Sequence, residues 1–257
     1  MDQQPSFTTQ QYSLDQRHET GPFDIIGDIH GCFDEFYQLL LKLGYQINKE
    51  VNYHISHPKN RKLILVGDLV DRGPNTPEVL RLVIDMVESQ MAFCVLGNHD
   101  DRLARQLRGN PVEISHGLAQ TITQLATEPD HFKTLLGHWL EALPCYQVFD
   151  NGQLIIAHAG FKSEFLEKEI TSSIRAFCLY GATGGLDANG KPIRYPWAKD
   201  YTGLAMIAYG HTPILEPQWI NNTINLDTGC VFGGNLTALR YPEKLLVSVP
   251  AIKIWYE

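Results

Sequence analysis

The sequence predicts an α/β fold in which buried strands end, one after another, in short polar turns. Three observations lead there. Five apolar runs, too continuous for half-exposed strands, each give way to glycines, Asp, Asn or His. The first three are followed by apolar residues at helical spacing. The last part of the chain breaks into short strand-like runs separated by turn residues.

Residues 1–20, rich in Gln, Ser and Thr and without periodicity, read as a flexible arm ahead of a single domain over 21–257. Gly21-Pro22 opens that domain. Asp24-Ile25-Ile26 leads into Gly27-Asp28-Ile29-His30-Gly31; Phe33, Phe36, Leu39, Leu40 and Leu43 then mark a helix closed by Gly44. Residues 48–62 are polar and read as a surface hairpin or loop. Leu63-Ile64-Leu65-Val66 enters Gly67-Asp68-Leu69-Val70-Asp71-Arg72-Gly73, followed by a helix with Pro77 in its first turn. Ala92-Phe93-Cys94-Val95-Leu96 enters Gly97-Asn98-His99-Asp100. The helix after it carries Arg102, Arg105 and Arg108 and stops at Gly109-Asn110-Pro111. Three β-α units in succession predict a largely parallel sheet.

Residues 112–142 predict a small helical lobe anchored by Leu118, Ile122, Leu125, Leu136 and Trp139. Tyr146-Gln147-Val148-Phe149 pairs across Asn151-Gly152 with Leu154-Ile155-Ile156-Ala157, which runs into His158-Ala159-Gly160. Residues 180–203 read as a long loop over the site. Its aromatics Tyr180, Tyr195, Trp197 and Tyr201 either stack a base or pack the loop. A fifth strand ends in Gly210-His211-Thr212, and further strands are expected at 223–226, 236–240, 245–249 and 252–255.

A formal net charge of −8 on 257 residues disfavours stable binding of duplex DNA, although a local arginine patch can still meet a polyanion. The five cysteines are scattered, without C-x-x-C spacing, and read as buried thiols of a reducing compartment. No stretch has the length of a membrane span or the pattern of a signal peptide, and a cytoplasmic location is expected.

The polar turns carry the chemistry. Asp28 and His30 can face one cation, Asp68 can bridge two, and Asn98, His158 and His211 complete a second site. This mixture suits two divalent transition-metal ions, with Mn first and Ni, Co, Fe or Zn as alternatives, more than Ca or Mg. Such a pair generates a hydroxide nucleophile and clamps phosphoryl oxygens for in-line displacement. Arg72 suits bidentate phosphate binding, His99 protonation of the leaving oxygen, and Asp71 the orientation of His99. Arg102, Arg105 and Arg108, spaced by three, form either a ridge that steers an anionic substrate or a solvated helix face. His18, His54, His57, His131 and His138 are expected on the surface, and His116 stays open.

The order G-D-x-H-G, G-D-x-x-D-R-G, G-N-H-D, H-A-G and G-H-T resembles the phosphoprotein-phosphatase branch of the calcineurin-like metallophosphoesterases, from about Gly21 to the C-terminus. The resemblance implies a four-layer αββα sandwich with the site at the ends of the central strands. It implies Asp28, His30, Asp68, Asn98, His158 and His211 as metal ligands, Arg72 as phosphate clamp, and the His99/Asp71 pair. Protein phosphatases of this branch carry an arginine before G-N-H, where this chain has Leu96, which argues against ordinary phosphoprotein substrates. Arg175 or Arg194 is the candidate replacement, so that Arg72, Asn98, Arg102, Arg175 and Arg194 are the expected substrate contacts.

The tail Leu226-Asp227-Thr228-Gly229-Cys230-Val231-Phe232-Gly233-Gly234 resembles both the bacterial diadenosine tetraphosphatases, the PrpE type included, and the phosphatase module of bacterial polynucleotide kinase-phosphatase. In the latter family the aspartate at position 227 supports the ligands from behind. Segments 236–244, 247–251 and 194–198 lean toward the repair module, whose kinase motif G-x-x-x-x-G-K-[ST] is absent here. The first expectation is therefore a 2′,3′-phosphatase acting on RNA ends or nucleotides. Bis(5′-nucleosyl)-tetraphosphatase, phosphoprotein phosphatase and a catalytically silent partner-binding module follow as alternatives.

Overall fold

The computed structural model describes residues 11–187 and 192–257. The elements run β1 (Asp15–Gln16), β2 (Phe23–Ile26), α1 (Phe33–Leu43), β3 (Gln46–Lys49), β4 (Tyr53–Ser56), β5 (Lys62–Leu65), α2 (Thr76–Glu88), β6 (Ala92–Cys94) and α3 (Asn98–Leu107). They continue with α4 (Leu118–Leu125), α5 (Asp130–Ala142), β7 (Tyr146–Phe149), β8 (Leu154–Ala157), α6 (Ser172–Tyr180), β9 (Ala182–Leu186) and β10 (Pro192–Tyr195). Last come β11 (Met206–Tyr209), β12 (Trp219–Ile220), β13 (Thr223–Asn225), β14 (Asn235–Tyr241) and β15 (Leu245–Pro250).

Two sheets dominate, ordered β1-β7-β8-β11-β13-β12 and β15-β14-β2-β5-β6. Alternate residues explain why their strands are apolar throughout. Ile25, Ile64, Val66, Leu154, Ile156, Met206 and Ala208 meet between the sheets. Their neighbours Ile26, Leu63, Leu65, Ile155, Ala157 and Ile207 face the outer layers. On the five-stranded side α1 packs on β14 and β15, and α2 on β6. On the other, Phe161 lies 4.7 Å from Tyr146 and Trp197 4.9 Å from Tyr209 between ring centroids, beside α6. This is the expected αββα sandwich, with α4 and α5 as the helical lobe. Among the described residues no helix is long and apolar enough to cross a membrane.

Several details depart from expectation. Residues 1–10 of the expected arm lie outside the described residues. The rest of it is docked: β1 pairs in parallel with β7, and Tyr12 donates to Glu88 at 2.7 Å. The expected strand at 252–255 does not form, because the ladder ends at Pro250, which has no N–H to donate. Trp255 instead donates its indole N–H to Glu35 at 2.8 Å. The expected loop at 180–203 contains the β9–β10 hairpin and a short 3₁₀ turn; its residues 188–191 lie outside the described residues. His57, expected on the surface, is buried at the end of α1, where its Nε2 faces Leu43 O at 3.3 Å and its Nδ1 accepts from Lys59 N at 3.0 Å.

Candidate metal centre

Strands β2, β5 and β6 are parallel neighbours in one sheet, as are β8 and β11 in the other, so their C-terminal ends deliver five turns to one place. The turns are backbone-strained. His30, Asp68, Asp71, Arg72 and His211 all have φ between 46° and 75°, a left-handed conformation that costs a non-glycine residue about 1–3 kcal/mol. Two glycines permit the crowding. A Cβ on Gly97 would lie 2.2 Å from Asp68 Oδ1, and one on Gly210 1.9 Å from Asp28 Oδ1.

His158 donates from Nδ1 to Val66 O at 2.9 Å, which leaves Nε2 as a bare lone pair. That nitrogen faces Asn98 Oδ1 at 3.0 Å, His211 Nδ1 at 3.1 Å and Asp68 Oδ2 at 3.4 Å. Across the cleft, His30 donates from Nδ1 to Val70 O at 2.8 Å, and its Nε2 lies 3.6 Å from the same Asp68 oxygen. Asp68 is thus shared by two groups of ligand-type atoms, one with His158 and His211 and one with His30 and His99. Asp28 accepts the His211 backbone N–H at 3.0 Å.

The electrostatics ask for cations. Burial, then Asp227 and Asp68, push the Asp28 carboxyl well above the usual range. Burial, with Asp68 and against the Gly229 N–H, raises Asp227 to about 6, and burial with Asp68 raises Asp100 to about 7. Burial would raise Asp68 too, but the imidazoles of His158 and His99 hold it well below the carboxylate range. His158 is held up by Asp68 against its own burial, whereas burial and His158 push His211 down to about 2. Buried carboxylates and lone pairs facing each other fit a pair of divalent ions of the nitrogen- and oxygen-binding kind.

His99 lies beside these groups. Its Nδ1 meets Asp71 Oδ2 at 2.6 Å, and the other Asp71 oxygen accepts from Thr121 Oγ1 at 2.7 Å. Asn98 and His99 occupy the first turn of α3 rather than a loop, because Asp100 caps that turn on the N–H of Gly97. Asp100 also accepts the Leu69 N–H at 3.0 Å, tying the α3 start to the Asp68 turn. Sequence reasoning missed Thr121 and Asp100; the capping spacing of Asp100 after Gly97 was the available signal, and Thr121 had none. Arg72 donates to His30 Nε2 at 2.8 Å, with its guanidinium over Phe232 and Tyr256 at 5.3 and 5.8 Å. One lone pair cannot serve both, so His30 would have to release Arg72 to hold an ion. Asp227 is buried and accepts from Gly229 N at 3.0 Å.

The expected arginines are dispersed. Arg102 donates to Ser115 O at 3.2 Å, Arg108 pairs with Glu141, and Arg105 is exposed, so no ridge of three free cations forms. Arg175 pairs with Asp101 at 2.7 Å, and Arg194 donates to Tyr180 O. His116 is exposed; burial, Arg102 and Arg72 lower its pKa, which puts it at the rim.

The model of the calcineurin-like phosphoesterases matches residues 21–215. The chain belongs to that family. It is a metallophosphoesterase, a hydrolase of phosphate esters of the kind that uses a dinuclear divalent metal centre. The chain is 47% identical over 234 residues to a protein of Anoxybacillus flavithermus, covering 89% of this chain and 94% of the relative. That relative is named bis(5′-nucleosyl)-tetraphosphatase PrpE [asymmetrical], as is one of Bacillus subtilis at 44% identity with the same coverage. A solved structure described as a diadenosine tetraphosphatase superposes with a TM-score of 0.67 at 24% identity, over 93% of this chain and 97% of that one. A protein serine/threonine phosphatase of Saccharomyces cerevisiae superposes at 0.63 and 16%, over 94% and 84%. Both carry the fold alone.

Proposed function

We propose that this metallophosphoesterase cleaves dinucleoside tetraphosphates asymmetrically, into a nucleoside triphosphate and a monophosphate. The carrying observation is that relatives 42–47% identical over most of this chain bear that activity in their names. The first expectation, a 2′,3′-phosphatase on RNA ends, gives way to it, since these relatives carry the name of the alternative. Leu96 in place of a phosphate-gripping arginine is in keeping with a non-protein substrate.

In this reading Asp28, His30, Asp68, Asn98, His158 and His211 would together hold two divalent ions; Mn is the first candidate and Ni, Co, Fe or Zn remain open. When bound, such ions polarise phosphoryl oxygens and lower the pKa of the attacking water. Asp227 and Asp100 support the ligand turns from behind. Arg72 moves from His30 to the phosphoryl oxygens, with Asn98 beside it. His99 gives its Nε2 proton to the leaving phosphate oxygen, while Asp71 holds the ring by Nδ1. The new bond joins the water oxygen to phosphorus, and the bond from that phosphorus to the bridging oxygen breaks.

Turnover with Mn²⁺ of diadenosine tetraphosphate, a 3′-phosphorylated oligoribonucleotide, a 2′,3′-cyclic nucleotide and a phosphopeptide tests this. The expected kcat/KM favours the tetraphosphate by roughly a hundredfold, about 2.7 kcal/mol, with ATP and AMP as products. His99→Gln lowers kcat by about a hundredfold or more. A comparable preference for the oligoribonucleotide overturns the reading.

A further inference from the structure

We infer that the cavity beside His211 is a nucleoside pocket, stacking one base of the substrate on Tyr180 or Tyr195 with Arg194 at its anionic side. The inference rests on the dinucleotide reading above and adds where the nucleoside sits. The cavity measures about 210 Å³, and its walls include Tyr180, Arg194, Tyr195, Trp197, Tyr209 and His211. Its shared wall with the candidate metal centre is His211. Cavities of about 440 Å³ near Tyr12 and near Lys162 have no candidate ligand in their walls.

The four aromatics of this region divide into two kinds. Trp197 and Tyr201 are packing residues, 8% and 6% exposed. The Trp197 indole donates to Ala159 O at 3.0 Å and lies tilted against Tyr209 at 4.9 Å, which makes a rigid apolar floor. Tyr180 and Tyr195 are 38% and 47% exposed and offer ring faces to an incoming π system. The Tyr180 ring stands edge-on to His211 at 6.5 Å, so a base there stays next to the reacting phosphates. Arg194, donating to Tyr180 O, ties the β9–β10 hairpin to the end of α6 and sets a guanidinium beside the rings. His211 Nε2 is buried without a hydrogen-bond partner. Closed to solvent, that atom belongs to the wall between cavity and metal centre and is not a contact for the base. Aromatic faces and a guanidinium beside a phosphate-ester centre are the chemistry of a nucleoside 5′-phosphate.

Calorimetry on the Mn²⁺-loaded protein decides it, with adenosine 5′-monophosphate and ribose 5-phosphate as probes. The nucleotide is expected to bind about tenfold tighter than the sugar phosphate, the yield of one stacked base. Tyr180→Ala with Tyr195→Ala brings the two within twofold, and Tyr195→Phe keeps the full difference. Thermal melting checks folding; should the double variant be unfolded, Tyr180→Ala and Tyr195→Ala are measured singly, and one of the two is expected to lose at least half of the preference. Equal binding of both probes by the unaltered protein, or an unchanged preference in the folded alanine variants, overturns the pocket. Failure of the tetraphosphatase reading is separate: no ATP is released from diadenosine tetraphosphate while the preference for the nucleotide persists.

Discussion

The floor of the candidate site and its rim are built on opposite principles. On the floor Asp28, His30, Asp68, Asp71, Asn98, His99 and His158 are at most 5% exposed, and strained turns with backbone hydrogen bonds hold them. At the rim, the long side chains of Arg102, Arg175 and Arg194 are satisfied on nearby carbonyls or carboxylates. A floor made of backbone cannot vary without disturbing strands, whereas rim side chains exchange freely. The candidate chemistry is therefore tied to the sheet, and the rim is the part left free to vary.

The sharpest break in this comparison is the floor without its cations. Adding Mn²⁺ at about a hundred times its dissociation constant should stabilise the protein by about 2.7 kcal/mol, or roughly 5–10 °C in Tm for a chain of this size. The gain has a predicted pH dependence. Asp28, raised by burial and by Asp227 and Asp68, and His158, raised by Asp68 against its burial, take up protons more readily as pH falls, and an ion must displace them. Raised pKa values thus weaken the metal's contribution as pH falls. Scanning calorimetry should show a larger Mn²⁺-induced shift at pH 7.5 than at pH 5.5. An equal shift at both would place the ion elsewhere.

Next in size is a residue that no motif announced. Each motif residue of the floor follows an apolar strand run, and that juxtaposition made the fold class and the convergence of the turns legible in the sequence. Thr121 sits in α4, fifty positions from the Asp71 it contacts, in a stretch whose only pattern is amphipathic. Contacts between distant elements leave no local trace, and neither did the docking of Tyr12 or the burial of His57. The strand expected at 252–255 failed for a related reason: apolar alternation there meets Glu35 and Val231 instead of a sheet edge. Thr121→Val removes the hydrogen bond to a charged acceptor while keeping the shape. Worth about 1.5–3 kcal/mol where felt in full, its loss should lower kcat by at least roughly tenfold with KM little changed. An unchanged kcat would mean that Asp71 orients His99 unaided.

The smallest effect is the one that tests the rim. Arg175 is expected as a phosphate contact, yet its guanidinium donates to Asp101 Oδ1 at 2.7 Å, and its side chain is 37% exposed. A half-solvated pair of this kind stabilises by about 0–1 kcal/mol, and it leaves little net charge for a polyphosphate to feel. Arg175→Ala should therefore change kcat/KM for diadenosine tetraphosphate by less than about threefold. Asp101→Ala releases the guanidinium and should lower KM, by roughly twofold to fivefold at low salt and less at 0.15 M, where the Debye length falls to about 8 Å. Steady-state kinetics at two ionic strengths separates the cases. A large loss in Arg175→Ala would show that the substrate pulls Arg175 away from Asp101, so that the rim would join the floor as part of the machinery built for one substrate.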